Sequence, residues 1–259
     1  MKDLSSTEKK EIMAYTSSSY SADTDATVTA PSNFTITKTV LINARGIGLL
    51  RLPLPSSELE IPISTSEGEL VYVSTRAKKC SGNATLYNAN GKALVASKYL
   101  WGPGRDPKMR VLSEGAQEEI SVKGKWTSRS QDFLLPSGQV MTWRYTREID
   151  SSPANVKNKK WTSLVLEVPD SRREMGDGKK ADTVRLAQLV RNEESRTPGT
   201  KKCDAGNGGK IAIDEQAMKS VGVLEEIVIA SCLMMLKKEI DRRVTAQMLT
   251  LAAASSGGS

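Results

Sequence analysis

The chain has 259 residues, 38% of them hydrophobic and 26% charged, a balance that suits one large globular domain or two small ones. A core can be buried at this length without disulfide or metal staples. Histidine is absent, which excludes Ser-His-Asp and Cys-His nucleophile systems, His-ligated zinc and imidazole acid/base chemistry. The three cysteines, Cys80, Cys203 and Cys232, are far apart and form no CxxC pair. They read as reduced thiols of an intracellular protein and are too few for an all-thiolate zinc site. The formal net charge of +7 suits phosphoinositide headgroups, acidic membrane surfaces or nucleic acid, and equally the surface of a soluble domain.

In chain order, residues 1–30 are polar and Ser/Thr-rich and are expected to form a disordered arm, with room for a short amphipathic helix around Glu8 to Tyr15. Met1 to Ile12 holds no apolar run, so no secretory signal is expected. Period-two alternation then begins. Phe34, Ile36 and Val40 to Ile42 mark one strand, Leu49 to Leu54 a second and Leu70 to Ser74 a third. Ala84 to Tyr87 and Lys92 to Tyr99 flank Asn88-Ala-Asn-Gly91, a hairpin signal because Asn-Gly readily takes the positive φ of a tight turn. Met109 to Leu112 and Glu119 to Lys123 are short strands. Asp132 to Leu135 and Val140 to Arg147 flank a second turn, Pro136-Ser-Gly138. Trp161 to Val168 is a strong β segment. Thr183 to Arg191 fits a helix or a strand, and Lys210 to Ile213 closes the series. About eleven strands with turn signals roughly every 8–12 residues argue for a barrel or sandwich and against βαβ layering.

The period changes after Asp214, a plausible N-cap. Glu215 to Ser220 is a helical turn or two, interrupted by Gly222. The segment from Leu224 onward opens on Glu225 and Glu226 and closes on Lys237, Lys238, Arg242 and Arg243, matching the helix dipole at both ends. Between them Ile227 to Leu236 is apolar on every face. At ~1.5 Å per residue this run spans ~15 Å, half a bilayer core, so no transmembrane segment is expected. A helix apolar all round must be buried all round. The fold class that satisfies both patterns is mainly β: a closed antiparallel barrel around a central hydrophobic C-terminal helix, which leaves the sheet no edges. One domain over residues 31–250, followed by a small, flexible tail at 251–259, is the expected organisation.

Four segments carry a resemblance. They are Gly46-Ile-Gly-Leu-Leu-Arg-Leu-Pro-Leu-Pro55, Tyr99-Leu-Trp-Gly-Pro-Gly-Arg-Asp-Pro107, Lys125-Trp-Thr-Ser-Arg129 with Phe133 to Tyr145, and Ala230-Ser-Cys-Leu-Met-Met-Leu-Lys-Lys-Glu239. Together they resemble a family of uncharacterised filamentous-fungal proteins. That family is in turn similar to the tubby C-terminal-like superfamily, which includes LURP-one-related proteins and phospholipid scramblases. The resemblance implies a twelve-stranded antiparallel barrel around a central C-terminal helix. Tubby domains bind phosphoinositides through basic residues on the barrel wall, but no matching motif occurs here, so no ligand residue carries over.

Few segments carry chemistry. Gly46-Ile-Gly48 leads into a strand and offers no helix terminus to a phosphate. Gly206-Asn-Gly-Gly-Lys210 lacks the P-loop spacing and reads as a flexible loop. Asp204 and Asp214 are not at the alternate positions of a calcium loop, and no metal site is expected. Glu118-Glu119, Glu193-Glu194 and Glu225-Glu226 sit beside turns or helix ends, where solvated charge is ordinary. No enzymatic activity and no cofactor is expected. The basic clusters are more informative. Arg76, Lys78 and Lys79, and Lys157, Lys159 and Lys160, fall between predicted strands, as do Arg172-Arg173, Lys179-Lys180 and Lys201-Lys202. Barrel connections gather at two ends, so several clusters are placed to form one positive rim, with scattered solvated loops as the alternative. Arg105 and Lys108, beside the glycines of the Trp101–Lys108 loop, are a second candidate for an anion.

The expectation is therefore a non-enzymatic binding module for anionic phospholipid or phosphoinositide headgroups or an acidic protein partner. The alternative is an interaction or scaffold protein without lipid affinity, regulated through its N-terminal arm. Nucleic acid ranks below both, because few aromatics are free to stack on bases. The expected location is cytoplasmic or nucleocytoplasmic, peripheral to a membrane if the lipid reading holds.

Overall fold

The computed structural model describes residues 34–48, 58–78, 81–99, 101–102, 105–112, 118–124, 128–149, 160–169 and 183–256. The expected N-terminal arm, the expected strand at Leu49 to Leu54 and residues 257–259 lie outside them. Twelve strands are present: β1 (Lys38–Ile42), β2 (Glu60–Thr65), β3 (Leu70–Thr75), β4 (Ala84–Asn88), β5 (Ala93–Lys98), β6 (Lys108–Val111), β7 (Glu119–Lys123), β8 (Gln131–Leu134), β9 (Val140–Ile149), β10 (Lys160–Pro169), β11 (Thr183–Val190) and β12 (Gly209–Ile213). Each pairs antiparallel with its neighbour in sequence. β1 also pairs with β12, Val40 opposite Ile211, so the sheet closes into a barrel.

Alternation explains the barrel wall. Val40 and Ile42, Met109 and Val111, Ile120 and Val122, Met141 and Trp143, and Ile211 and Ile213 are buried at every second position. Asn88 and Gly91 turn the β4–β5 hairpin as expected. The Asn88 Oδ1 accepts from the Asn90 and Lys92 backbone N–H groups, and Gly91 takes φ 76°. Segment 183–190 is a strand, β11, paired with both β10 and β12.

Eight strands leave an interior that side chains alone can fill; twelve leave more room. A helix fills it. Asp214 caps the short α1 (Glu215–Val221) by accepting from the Ala217 N–H, and Gly222 ends it at φ 68°. The chain then enters the barrel as α2 (Glu225–Ser256). Lys38 and Tyr72 hold Glu225 at one mouth, at 2.7 and 3.2 Å. Every residue from Ile227 to Leu236 is buried, and Cys232, Met234 and Met235 are core filling as expected. The Cys232 thiol is pushed up to about 12 by burial. Inside, the Trp143 indole N–H donates to Ser231 Oγ at 2.8 Å, and Ser231 in turn donates to the Val228 carbonyl.

With 32 residues, α2 is ~48 Å long. A ten-residue strand such as β9 spans only ~33 Å. The helix therefore leaves by the opposite mouth and continues to Ser256, past the domain boundary expected at residue 250. The stretch Gly206–Gly209 is not a flexible loop: all four residues are buried against this exit. A Cβ on Gly208 would lie 1.8 Å from the Ile42 carbonyl oxygen, and one on Gly206 would lie 2.4 Å from Ile240 Cγ1. These glycines let the β11–β12 connection pass between strand and helix.

Candidate functional site

Because the strands run up and down in sequence order, alternate connections lie at the same end. Glu239 marks the mouth where α2 leaves. Its carboxylate takes a bidentate ion pair from Arg191, at 2.8 and 2.9 Å, just past the end of β11, and a hydrogen bond from the Gly206 N–H at 2.8 Å. The Tyr145 hydroxyl donates to the same group. Burial works to raise the Glu239 carboxyl, but Arg191, Tyr145 and Gly206 hold it below its usual range. This buried cluster fixes the height of α2 in the barrel.

The β3–β4, β5–β6 and β9–β10 connections all begin and end at this exit mouth, as the pairs Thr75–Thr85, Lys98–Lys108 and Ile149–Lys160 show. The expected site residues belong to these three connections and their flanking strand ends. Lys78, Arg105 and Lys108 are exposed, and Lys108 pairs with Glu119 at 2.6 Å. Lys160 opens β10; Lys79, Lys157 and Lys159 lie outside the described residues. Lys201 and Lys202, exposed on the β11–β12 connection, are at the same mouth. Arg172, Arg173, Lys179 and Lys180 also lie outside the described residues, between strand ends at the opposite mouth. There the described residues are rich in acid, with Glu67, Glu69, Glu215, Glu225 and Glu226 near the start of α2.

Arg76 departs from expectation. It is 8% exposed, not a solvated loop charge. The end of β3 turns it inward, where one guanidinium nitrogen donates to the Glu58 carbonyl at 3.0 Å and Nε has no hydrogen-bond partner. Burial pulls its pKa below the usual arginine range, against the carboxylates of Asp241 and Glu58. Arg76 reaches a small cavity between β3–β5 and α2. Ser74, Ala84, Ser97, Tyr99, Leu233 and Lys237 are among the residues that line it, and its volume of about 20 Å³ has room for one water or one small group. Small side chains on three adjacent strands make this space. Gly82 is needed beside it, since a Cβ there would lie 2.3 Å from the Tyr99 carbonyl oxygen. The Tyr99 hydroxyl faces the Asp241 carboxylate, whose Oδ1 accepts from Lys237 at 2.5 Å. Burial pushes the Asp241 carboxyl above its usual range, against Lys237 and Arg76.

Lys238 adds a titratable group across the same mouth. It is 2% exposed and donates to the Ser130 carbonyl at 3.2 Å. Burial and the Arg242 charge pull it down to about 7, with Asp132 opposing. A lysine whose folded pKa lies below its unfolded value binds fewer protons when folded, so its contribution is complete above ~10.4 and is lost as pH falls toward 7. Urea unfolding between pH 7 and 10 is expected to show stability rising with pH in the parent protein and a flatter profile in Lys238→Met.

Among the described residues no group of three His, Cys, Asp or Glu side chains is placed to hold a metal ion. No helix among the described residues is long and apolar enough to cross a membrane. Comparison with protein-family models, curated proteins and solved structures gives no match.

Proposed function

We propose that the protein is a non-enzymatic binding module whose exit mouth engages an anionic surface, with phosphoinositide-bearing membrane as the leading partner. The observation that supports this reading is topological. Among the described residues, one end of the barrel gathers Lys78, Arg105, Lys108, Lys201 and Lys202 around the emerging basic turn of α2, while the other end is rich in acid. Such an asymmetric charge distribution orients a protein at an acidic interface. The fold agrees with the resemblance to the tubby C-terminal-like superfamily, which supports the proposal without supplying ligand residues. A scaffold role without lipid affinity is the competing reading.

Co-sedimentation with vesicles of neutral lipid, neutral lipid with phosphatidylserine, and neutral lipid with phosphatidylinositol bisphosphate separates the two. Binding is expected only with acidic lipid and is expected to weaken steeply when salt rises, because the attraction acts within a Debye length of ~8 Å at physiological ionic strength. No binding to either acidic vesicle at low salt would leave the scaffold reading standing.

A further inference from the structure

We propose that the cavity beneath Arg76 is a slot for a single phosphate group, presented either by a lipid headgroup or as free phosphate. This rests on the anionic reading of the exit mouth but assigns a separate site, inside the barrel rather than on its rim.

Three observations carry it. First, Arg76 is more than nine-tenths buried and makes no ion pair among the described residues, with its Nε–H unused. A guanidinium in that state has the Asp241 and Glu58 carboxylates only at longer range and no directly bonded anion. Second, the other groups facing the space are mostly donors. Tyr99 brings a hydroxyl that faces Asp241, Ser74 and Ser97 bring hydroxyls, and Lys237 lines the space with Asp241 as its partner. Asp241 and Glu58 act on Arg76 only at longer range and bring the local charge close to balance, while the groups facing the space remain richer in donors than in acceptors, the complement of a phosphate's acceptor oxygens. Third, the space is small. About 20 Å³ admits one group and excludes an inositol ring or a nucleoside, so a larger ligand would leave its body at the mouth, beside Lys78. A water alone would leave the guanidinium without a direct ion pair.

The test uses the full chain and calorimetric titration with inorganic phosphate and with the soluble headgroup glycerophosphoinositol bisphosphate. Saturable one-to-one binding of both probes is expected, weakened tenfold or more in Arg76→Gln and less than twofold in Lys78→Gln. Because Arg76 is buried, Ser97→Val serves as a second variant. It keeps every charge and narrows the slot, so it is expected to lose phosphate while retaining the parent's thermal midpoint. Failure of both probes to bind the parent protein, or binding unchanged in both Arg76→Gln and Ser97→Val, would overturn the slot. Saturation by free phosphate with weak headgroup binding would assign it to free anion, and the reverse to lipid. Vesicle binding driven by the rim lysines is read separately: it survives Arg76→Gln if only the slot is wrong, and phosphate binding without vesicle binding would remove the membrane reading alone.

Discussion

Glu239→Ala is expected to cost the fold about 3–5 kcal/mol, the range for breaking a buried ion pair by removing one partner. The side chain is held by Arg191 through two hydrogen bonds, by Tyr145 and by the Gly206 N–H. Its loss leaves a guanidinium, a phenol and an amide without their acceptor in the most crowded part of the exit mouth. For a domain of this size the thermal midpoint is expected to fall by roughly 10 °C. Glu239→Gln keeps the shape and is expected to fall between the two, since it removes the charge that Arg191 needs. The double variant Glu239→Met with Arg191→Met is expected to recover much of the loss, because removing both members avoids a stranded charge. Recovery no better than either single change, or a midpoint unmoved by Glu239→Ala, would show that the cluster does not hold the helix.

Ile229→Asp is expected to prevent folding. Ile229 is fully buried on the part of α2 inside the barrel, away from the Arg76 cavity and among residues contributed by every strand. An unpaired carboxylate there costs several kcal/mol even after its pKa rises to neutralise it, and the lost packing of a large side chain adds about 2–5 kcal/mol. The total matches the whole stability of a typical domain. Val228→Asp is expected to act alike. A soluble variant with the parent's far-ultraviolet dichroism and an unchanged midpoint would mean that α2 is not the barrel's core.

The helix was plain in the sequence because ten consecutive apolar residues bracketed by opposite charges leave few other readings. Most strands were legible for the same reason: one buried face writes itself as alternation. β2 was not. Pro62 interrupts Ile61 and Ile63 and argues against a paired strand, yet its carbonyl still accepts from the Asn43 N–H at 3.0 Å. β11 was ambiguous because its apolar residues do not alternate cleanly: its register with β10 shifts between Leu166 and Glu167, so Leu186 and Ala187 both join the core while Arg185 and Gln188 are buried on the outer side of the wall. There Arg185 lies 3.6 Å from Glu167 and 5.8 Å from the Phe34 ring centre, while Gln188 donates to Ser163.

The convergence of the basic connections was within reach of the sequence, since an up-and-down order puts every second connection at one end. The cavity was beyond reach. Ser74, Ala84 and Ser97 are unremarkable singly and meet only through the registers of β3, β4 and β5. Arg76 read as one of three loop cations because nothing in its neighbours reveals that the chain turns inward there, toward the Glu58 carbonyl.

Equal charge changes at the two ends of the barrel test the central claim most directly. Lys78→Gln with Lys201→Gln alters the exit mouth, and Lys92→Gln with Lys219→Gln alters the opposite one. Each basic side chain near an acidic surface is worth about 1 kcal/mol, so two are worth a factor of roughly 30. Affinity for phosphoinositide vesicles is expected to fall by that factor in the exit-mouth pair and by less than twofold in the other. Equal losses in both pairs, or a loss confined to the opposite mouth, would contradict the assignment of the exit mouth as the binding face.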